Sequence, residues 1–110
     1  MIGGDSMVLK YDADIDNDAI ERRLKKLTNE IYKLLPNREE GLDWIKPLET
    51  LIEELAGMER LFIGRQDLFF PLLCKLEGLF TLQAEEDFFI FRRTIFDCLN
   101  LMNGLVTQCH

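Results

Sequence analysis

The residues of this chain that could do chemistry begin with a run of alternating aspartates from Asp12 to Asp18. Alternating carboxylates open a calcium-binding loop, in which hard oxygen ligands surround the ion. Counted from Asp12, that loop needs glycine at its sixth position and glutamate at its twelfth, and these positions hold Asn17 and Arg23. The run therefore predicts an acidic lead-in that favours the N-terminus of a following helix, and no metal site.

Paired carboxylates are the next candidates for chemistry. Glu49 and Glu53 lie four residues apart, so one helix face would carry both. Such a pair serves acid–base catalysis or metal binding when burial or a histidine ligand completes the site. The single histidine is His110, at the C-terminal end. We therefore interpret the pair as part of a solvated acidic face, and we expect no cofactor.

Nucleophilic catalysis lacks its usual partners in this sequence. The cysteines Cys74, Cys98 and Cys109 have no internal histidine to activate them, and Ser6 is the only serine. An odd number of cysteines without a C-x-x-C pair predicts reduced thiols, with Cys74 and Cys98 buried, rather than a disulfide framework. The sequence therefore predicts no enzyme and no catalytic residue.

A basic face on the first predicted helix is a candidate site for an anionic ligand. Tyr11 could stack on a nucleotide base while Lys25 or Lys26 contacts a phosphate, with Arg22 beside them. The alternative is a solvated basic face that is attracted to acidic neighbours. Both interpretations stay open at this point.

Composition and charge narrow the class of protein. A chain of 110 residues suits one domain, and 47% hydrophobic with 30% charged residues is typical of a soluble globular protein. The net charge of -7 argues against direct nucleic-acid binding, which needs a basic face, and would attract a basic protein partner. The pair Arg92-Arg93 could bind an anion, but we expect it to pair with acidic side chains at the polar edge of an aromatic helix. The longest apolar run, Leu68 to Cys74, is too short to span a bilayer. Because the sequence shows no signal peptide, we expect a cytoplasmic protein.

The first six residues precede a second methionine, Met7. The segment Gly3-Gly4-Asp5 can be encoded by GGAGGUGAU, which matches a strong bacterial ribosome-binding site at a suitable distance before a start codon. We therefore expect Met7 to be the natural start and residues 1–6 to be translated leader. The gene would then be bacterial or come from a phage or mobile element.

Apolar residues that recur every three or four positions predict an all-α fold, a bundle of four main helices with short loops. Residues 1–17 would form a disordered or extended acidic segment, and residues 18–106 a single helical domain. The first helix would start at Asp18 and end before Pro36, and the second would run from Pro47 to Gly64. A central, buried third helix would span Leu68 to Leu82, and a fourth would run from Glu85 to a stop at Asn103-Gly104.

All eight phenylalanines lie in one third of the chain, which ends at Phe96. Within it, residues 88–91 are four consecutive apolar positions, which point in four directions around a helix. Core filling explains only part of them, and each large apolar side chain left in water forfeits roughly 1.5–3 kcal/mol of burial. The excess predicts an oligomer or partner interface, with a fully internal core as the alternative. The predicted interface comprises Phe88, Phe89, Ile90 and Phe96.

In size, acidity, helicity and expected origin, the whole chain resembles the small acidic helical proteins of phages and integrative elements, many of which counter bacterial defence. Acidic anti-CRISPR proteins of this class mimic DNA and occupy basic grooves. The anti-CBASS sponges are helical oligomers that sequester cyclic oligonucleotides with a tyrosine and a lysine near the first helix, and Tyr11 and Lys26 would take those roles. The resemblance implies an acidic partner face formed by Glu49, Glu53, Glu54 and Glu59.

Together these features predict a non-enzymatic interaction protein that self-associates through its phenylalanine-rich C-terminal half. It would bind or inhibit a host protein, such as a component of bacterial defence. Two alternatives remain. One is an oligomeric sponge that binds a cyclic nucleotide through Tyr11 and the basic first helix, and the other is a structural or regulatory phage component.

Overall fold

The computed structural model describes the backbone of residues 2–107 and the side chains of residues 18–107. Within this range the chain forms four α-helices and short 3-10 segments, and it has no β-strand. The predicted all-α fold with four main helices is therefore confirmed. The helices are α1 (Ile2–Glu39), α2 (Ile45–Ala56), α3 (Gln66–Gly78) and α4 (Phe88–Thr107), and the 3-10 segments are Glu59–Arg65, Leu79–Thr81 and Glu85–Asp87.

The four helices pack as a ring in which each has two neighbours. Helix α1 packs against α2 and α4, and α3 packs against the same two helices, so α1 and α3 lie diagonally opposite. Arg23 of α1 pairs with Glu54 near the end of α2, while Arg38 at the end of α1 contacts Phe88 at the start of α4. Helix α1 therefore runs antiparallel to both of its neighbours, and for α2 the short connection from α1 requires this orientation.

One hydrophobic core lies between the helices and takes residues from all four. Its side chains recur every three or four positions, because that spacing returns to the same side of a helix. Among residues 18–107 no polar or charged side chain is buried, so this interior holds apolar groups only. Its helical members are Leu24, Leu27, Ile31, Leu34 and Leu35 of α1, Leu48, Leu51 and Leu55 of α2, Phe69, Leu72 and Leu76 of α3, and Phe91, Ile95, Cys98, Met102 and Leu105 of α4.

Helix α1 is longer than the sequence predicted at both ends. Its backbone is helical from Ile2, where the sequence predicted a disordered or extended segment, so Asp18 lies inside the helix instead of capping it. The predicted end before Pro36 is also wrong, since α1 continues to Glu39. A proline removes a single backbone donor, and the helical turn beyond Pro36 keeps its own bonds, including one of 3.0 Å from the Glu40 N–H to the Pro36 carbonyl.

The predicted second helix is divided into two segments. Helix α2 ends at Ala56, and the chain continues as the 3-10 segment Glu59–Arg65, which is non-helical at Phe62 (φ -121°, ψ 30°). This change of direction accompanies burial of the Phe62 ring, which stacks on Phe69 with centroids 5.5 Å apart. Gly64 therefore lies within the 3-10 segment and does not end a long helix.

Helix α3 is not the central, fully buried helix that its composition predicted. Phe69 is buried, but Phe70 is 50% exposed and Cys74 is exposed as well. The predicted burial of Cys74 is therefore wrong, whereas that of Cys98 is confirmed. The reason is geometric: α3 has α2 and α4 on one side only, so a helix that is apolar nearly all round must leave a stripe in water.

Helix α4 passes through its predicted stop at Asn103-Gly104 and is helical to Thr107, the last residue that the structure describes. Gly104 lies against α3, where an added Cβ atom would come within 3.0 Å of Cδ1 of Leu68. Farther along the same contact, Lys75 Nζ lies 3.5 Å from Asp97 Oδ2. The two contacts show that α3 and α4 run antiparallel, and that the glycine allows them to approach closely.

Candidate interaction site

The side of α4 that faces away from the core carries exposed aromatic side chains. Phe89 is 81% exposed and Phe96 is 43% exposed. They lie seven residues apart, about two turns, so both project from the same side of the helix. Ile90, on the flank of this side, is 56% exposed. We call the stripe formed by Glu86, Phe89, Arg93 and Phe96 the α4 outer face.

The packing of α4 explains why these rings stay outside. Helix α4 packs against α1 and α3, and it turns Phe91 and Ile95 completely into the core. An α-helix rotates about 100° per residue, so Phe89 points roughly 160° away from Phe91. No rotation of α4 could bury both positions while α4 has neighbours on only one side. The exposure of Phe89 therefore follows from the topology of the bundle.

Phe88 differs from the rest of the predicted interface. Its side chain is half-buried against the core, with its ring stacked 6.4 Å from that of Phe91. The guanidinium carbon of Arg38 lies 5.6 Å from the Phe88 centroid. Of the four residues predicted as interface, the structure leaves three exposed and brings Phe88 into contacts within the chain.

Charged side chains surround the aromatic rings of the α4 outer face. The guanidinium carbon of Arg92 lies 5.5 Å from the Phe96 ring centroid, in a cation–π contact. Glu86 and Arg93 are both exposed, and neither forms an ion pair within the part of the chain whose side chains are described. The acidic partners expected for Arg92 and Arg93 are therefore not found in that part of the chain.

A second aromatic cluster, which sequence reasoning missed, lies where α1 ends and α4 begins. The Arg38 guanidinium donates hydrogen bonds to the carbonyl oxygens of Leu82 and Ala84, the second at 2.7 Å. Its carbon atom lies 5.4 Å from the Trp44 ring centroid and 4.4 Å from that of Phe91. Arg38 therefore fills the space between a ring of the α1–α2 connection and a ring of α4, and it bonds to the connection between α3 and α4.

The predicted acidic residues do not lie on a single face. Glu49 and Glu53 project from the exposed side of α2. Glu54 is only partly exposed and lies beside α1, with its carboxylate 4.0 Å from the Arg23 guanidinium. Glu59 belongs to the 3-10 segment that follows α2. The rotation of 100° per residue separates Glu53 from Glu54, although they are adjacent in sequence.

A groove of about 470 Å³ runs between α1 and α2. Apolar side chains form part of its lining, and charges of both signs lie at its edge. A smaller groove of about 280 Å³ continues beside it. The larger groove is lined by Ala19, Ile20, Arg23, Glu53, Glu54, Gly57, Met58 and Leu61.

The basic residues proposed to hold a nucleotide have acidic neighbours. Lys25 Nζ lies 3.5 Å from the carboxylate of Glu21. Lys26 lines the smaller groove together with Glu30 and other residues of mixed character. Arg22 is exposed on the same helix. The local charge is therefore mixed, and it does not concentrate positive potential as a phosphate site would.

Three residues considered in the sequence, Tyr11, Cys109 and His110, lie outside the residues whose side chains are described. In residues 18–107 no group of three or more histidine, cysteine, aspartate or glutamate side chains is placed to hold a metal ion. None of the helices described has both the length and the apolar character needed to cross a membrane.

Ionisable groups at two places, Cys98 in the core and the exposed Arg65–Asp67 pair, have shifted pKa values with clear structural causes. Burial raises the pKa of Cys98 to about 12, although the nearby Lys75 charge acts in the opposite direction. At the start of α3, two hydrogen bonds of 3.0 Å from the Arg65 guanidinium lower the pKa of Asp67. The first shift reflects core packing and the second an exposed ion pair, so both have structural explanations.

No protein-family model, no curated protein and no solved structure matches this chain.

Proposed function

We propose that this protein is a non-enzymatic helical interaction protein that self-associates through the α4 outer face. The observation that carries the proposal is the 81% exposure of Phe89, with Phe96 two turns farther along the same side. Burying such a ring at an interface gains roughly 1.5–3 kcal/mol of hydrophobic free energy, and this gain favours association through the α4 outer face.

Three of the four residues on this face, Phe89, Arg93 and Phe96, are of types that protein interfaces favour. Phenylalanine and arginine are enriched at interfaces, whereas lysine, glutamate and aspartate are depleted there. Phe89, Phe96, Arg92 and Arg93 provide two aromatic anchors and two guanidinium groups on one side of a single helix. Because α4 is anchored in the core through residues such as Phe91, the face is presented on a rigid element and little ordering is needed on binding.

The acidic surface of α2 would stay outside this contact and be free to meet a second protein. Glu49 and Glu53 are exposed, and the chain carries a net charge of -7. Charge complementarity then selects a basic partner surface. Together with the resemblance to phage-encoded anti-defence proteins, this supports a host protein as the partner whose activity is bound or inhibited.

The test of self-association is the mass in solution over a concentration series, measured by light scattering. The variant Phe89→Ser should reduce the associated fraction strongly, with unchanged helical circular dichroism. The matched control is Ile63→Ser, because Ile63 is also a large apolar side chain, 67% exposed, but lies in the 3-10 segment before α3. A monomeric mass for the unmodified protein at every concentration would overturn the proposal.

A further inference from the structure

We propose that two copies of this chain pair through α4 in an antiparallel, two-fold arrangement in which Arg93 of each copy meets Glu86 of the other. This inference rests on the proposed self-association and adds its orientation and register. It follows from the order of charges along the α4 outer face.

An acid, a ring and a base follow one another along this face. Glu86 belongs to the 3-10 turn Glu85–Asp87 and precedes Phe89 of α4 by three residues, a spacing that places both side chains on one side of a helical stretch. Arg93 follows Phe89 by four residues in the regular helix, which also places it on the same side. The side chains of Glu86 and Arg93 therefore bracket the exposed ring.

This order of charges is complementary to itself only when the second helix is reversed. In an antiparallel pair whose two-fold axis passes near Phe89, Arg93 of each copy lies opposite Glu86 of the other, and the two Phe89 rings meet at the axis. A parallel pair in the same register would place each glutamate opposite a glutamate. Neither charge has an ion-pair partner among residues 18–107, so both are available to a second copy.

A competing antiparallel register would place Phe89 opposite Phe96 of the second copy. Its two-fold axis would then pass between Arg92 and Arg93. The four guanidinium groups of the two copies would meet there, and no described acidic side chain of the α4 outer face would lie among them. Like charges that face each other across an interface oppose association. The register centred near Phe89 avoids this and replaces the repulsion with two ion pairs.

The size of the contact determines the kind of dimer to expect. The paired stretch from Glu86 to Arg93 covers roughly 10 Å of helix, at 1.5 Å per residue. A stable interface buries roughly 1,600 Å² in total, and one short helix pair falls below that. We therefore expect a dimer that depends on protein concentration and weakens as salt screens its charges.

The experiment uses two charge-reversed variants of the full chain, Arg93→Glu and Glu86→Arg, at low ionic strength. Each alone places like charges opposite each other twice, and should raise the dimer dissociation constant by about ten-fold or more. When the two variants are mixed, every contact again joins opposite charges, so a heterodimer should form with close to the original affinity. Arg60→Glu is the control, since Arg60 is an exposed arginine in the 3-10 segment before α3.

The outcomes separate the inference from the proposal on which it rests. If Phe89→Ser abolishes association but neither charge reversal changes it, the register is wrong while self-association stands. If Arg93→Glu strengthens association, the register that brings the arginines together is the correct one. If the unmodified protein is monomeric throughout, self-association fails and this inference fails with it. Circular dichroism of each variant shows whether its fold is intact. A further variant, Arg93→Gln, removes the charge without reversing it and should weaken the dimer less than Arg93→Glu.

Discussion

The guanidinium carbon of Arg38 lies 4.4 Å from the centroid of the buried Phe91 ring. The same group donates hydrogen bonds to the carbonyl oxygens of Leu82 and Ala84, in the connection between α3 and α4. One side chain near the end of α1 therefore contacts both the start of α4 and the loop that leads into it. The Ala84 carbonyl also accepts the Asp87 N–H at 2.9 Å, and a charged donor bonds both carbonyls more strongly than a neutral one would.

Replacing Arg38 should destabilise the protein more than an exposed arginine would. Arg38→Ala removes two charge-assisted hydrogen bonds and the cation–π contacts, which together predict a loss of about 2–4 kcal/mol in the free energy of unfolding. Arg38→Lys should recover only part of this, because an ammonium group lacks the planar fork that reaches two carbonyls. Urea denaturation followed by circular dichroism measures both changes.

The control for Arg38 is Arg22→Ala, since Arg22 is exposed on the same helix. Its effect should stay within about 0.5 kcal/mol. Equal losses for Arg22→Ala and Arg38→Ala would contradict a specific role for the Arg38 contacts.

Truncating two phenylalanines that lie two residues apart should change stability by very different amounts. Phe91 is fully buried, so Phe91→Ala should cost about 3–5 kcal/mol through lost burial and the cavity that remains. Phe89 is 81% exposed, so Phe89→Ala should change the stability of the monomer by no more than about 0.5 kcal/mol. Denaturation at low protein concentration, where association does not contribute, makes the comparison. A large loss for Phe89→Ala under these conditions would mean that its ring is covered within one chain.

Substituting alanine at two glycines should change the stability of the protein in opposite directions. Gly41 has φ 75°, which L side chains rarely adopt, so Gly41→Ala should destabilise by about 1 kcal/mol. Gly78 ends α3, and an added Cβ atom there meets nothing within 4 Å, so Gly78→Ala should stabilise by about 0.4–1 kcal/mol. Thermal unfolding of the two variants and of the unmodified protein shows whether each substitution raises or lowers the stability. A gain for Gly41→Ala would show that the turn after α1 can adopt another conformation.

Burial of the Cys98 thiol predicts a loss of stability at alkaline pH. The folded pKa is raised from 9.0 to about 12, so this contribution is fully present below pH 9 and is lost as the pH rises through about 12. Between these values the unfolded thiol ionises while the folded one does not, which lowers the free energy of unfolding by at most about 1.4 kcal/mol per pH unit. Comparison with Cys98→Ala isolates this slope from other groups that titrate at high pH.

Thiol labelling provides an independent check of the same burial. In a Cys109→Ser background, a maleimide should modify Cys74 in the folded protein, because Cys74 is exposed. Cys98 should be modified only after unfolding, with the two sites distinguished by mass mapping. Rapid modification of Cys98 in the native protein would contradict its burial.

Much of the core could be predicted because it depends on local spacing. Apolar residues such as Leu24, Ile31 and Ile95 recur at helical intervals, and that periodicity alone indicates which side of a helix is buried. Helix ends were harder to predict. Pro36 and Gly104 are local stop signals, but both lie inside helices, where packing and the remaining backbone hydrogen bonds outweigh the local preference.

The sequence by itself determined that this chain is helical and that residues 88–91 hold more apolar surface than one stripe can bury. Only the tertiary structure decided which of those side chains lie outside, because each helix has neighbours on one side and the choice of side depends on the whole bundle. Phe88 turned inward and Phe89 outward for that reason. The hydrogen bonds of Arg38 to Leu82 and Ala84 could not be predicted from the sequence either, since they join residues more than forty positions apart, which only the tertiary fold brings together.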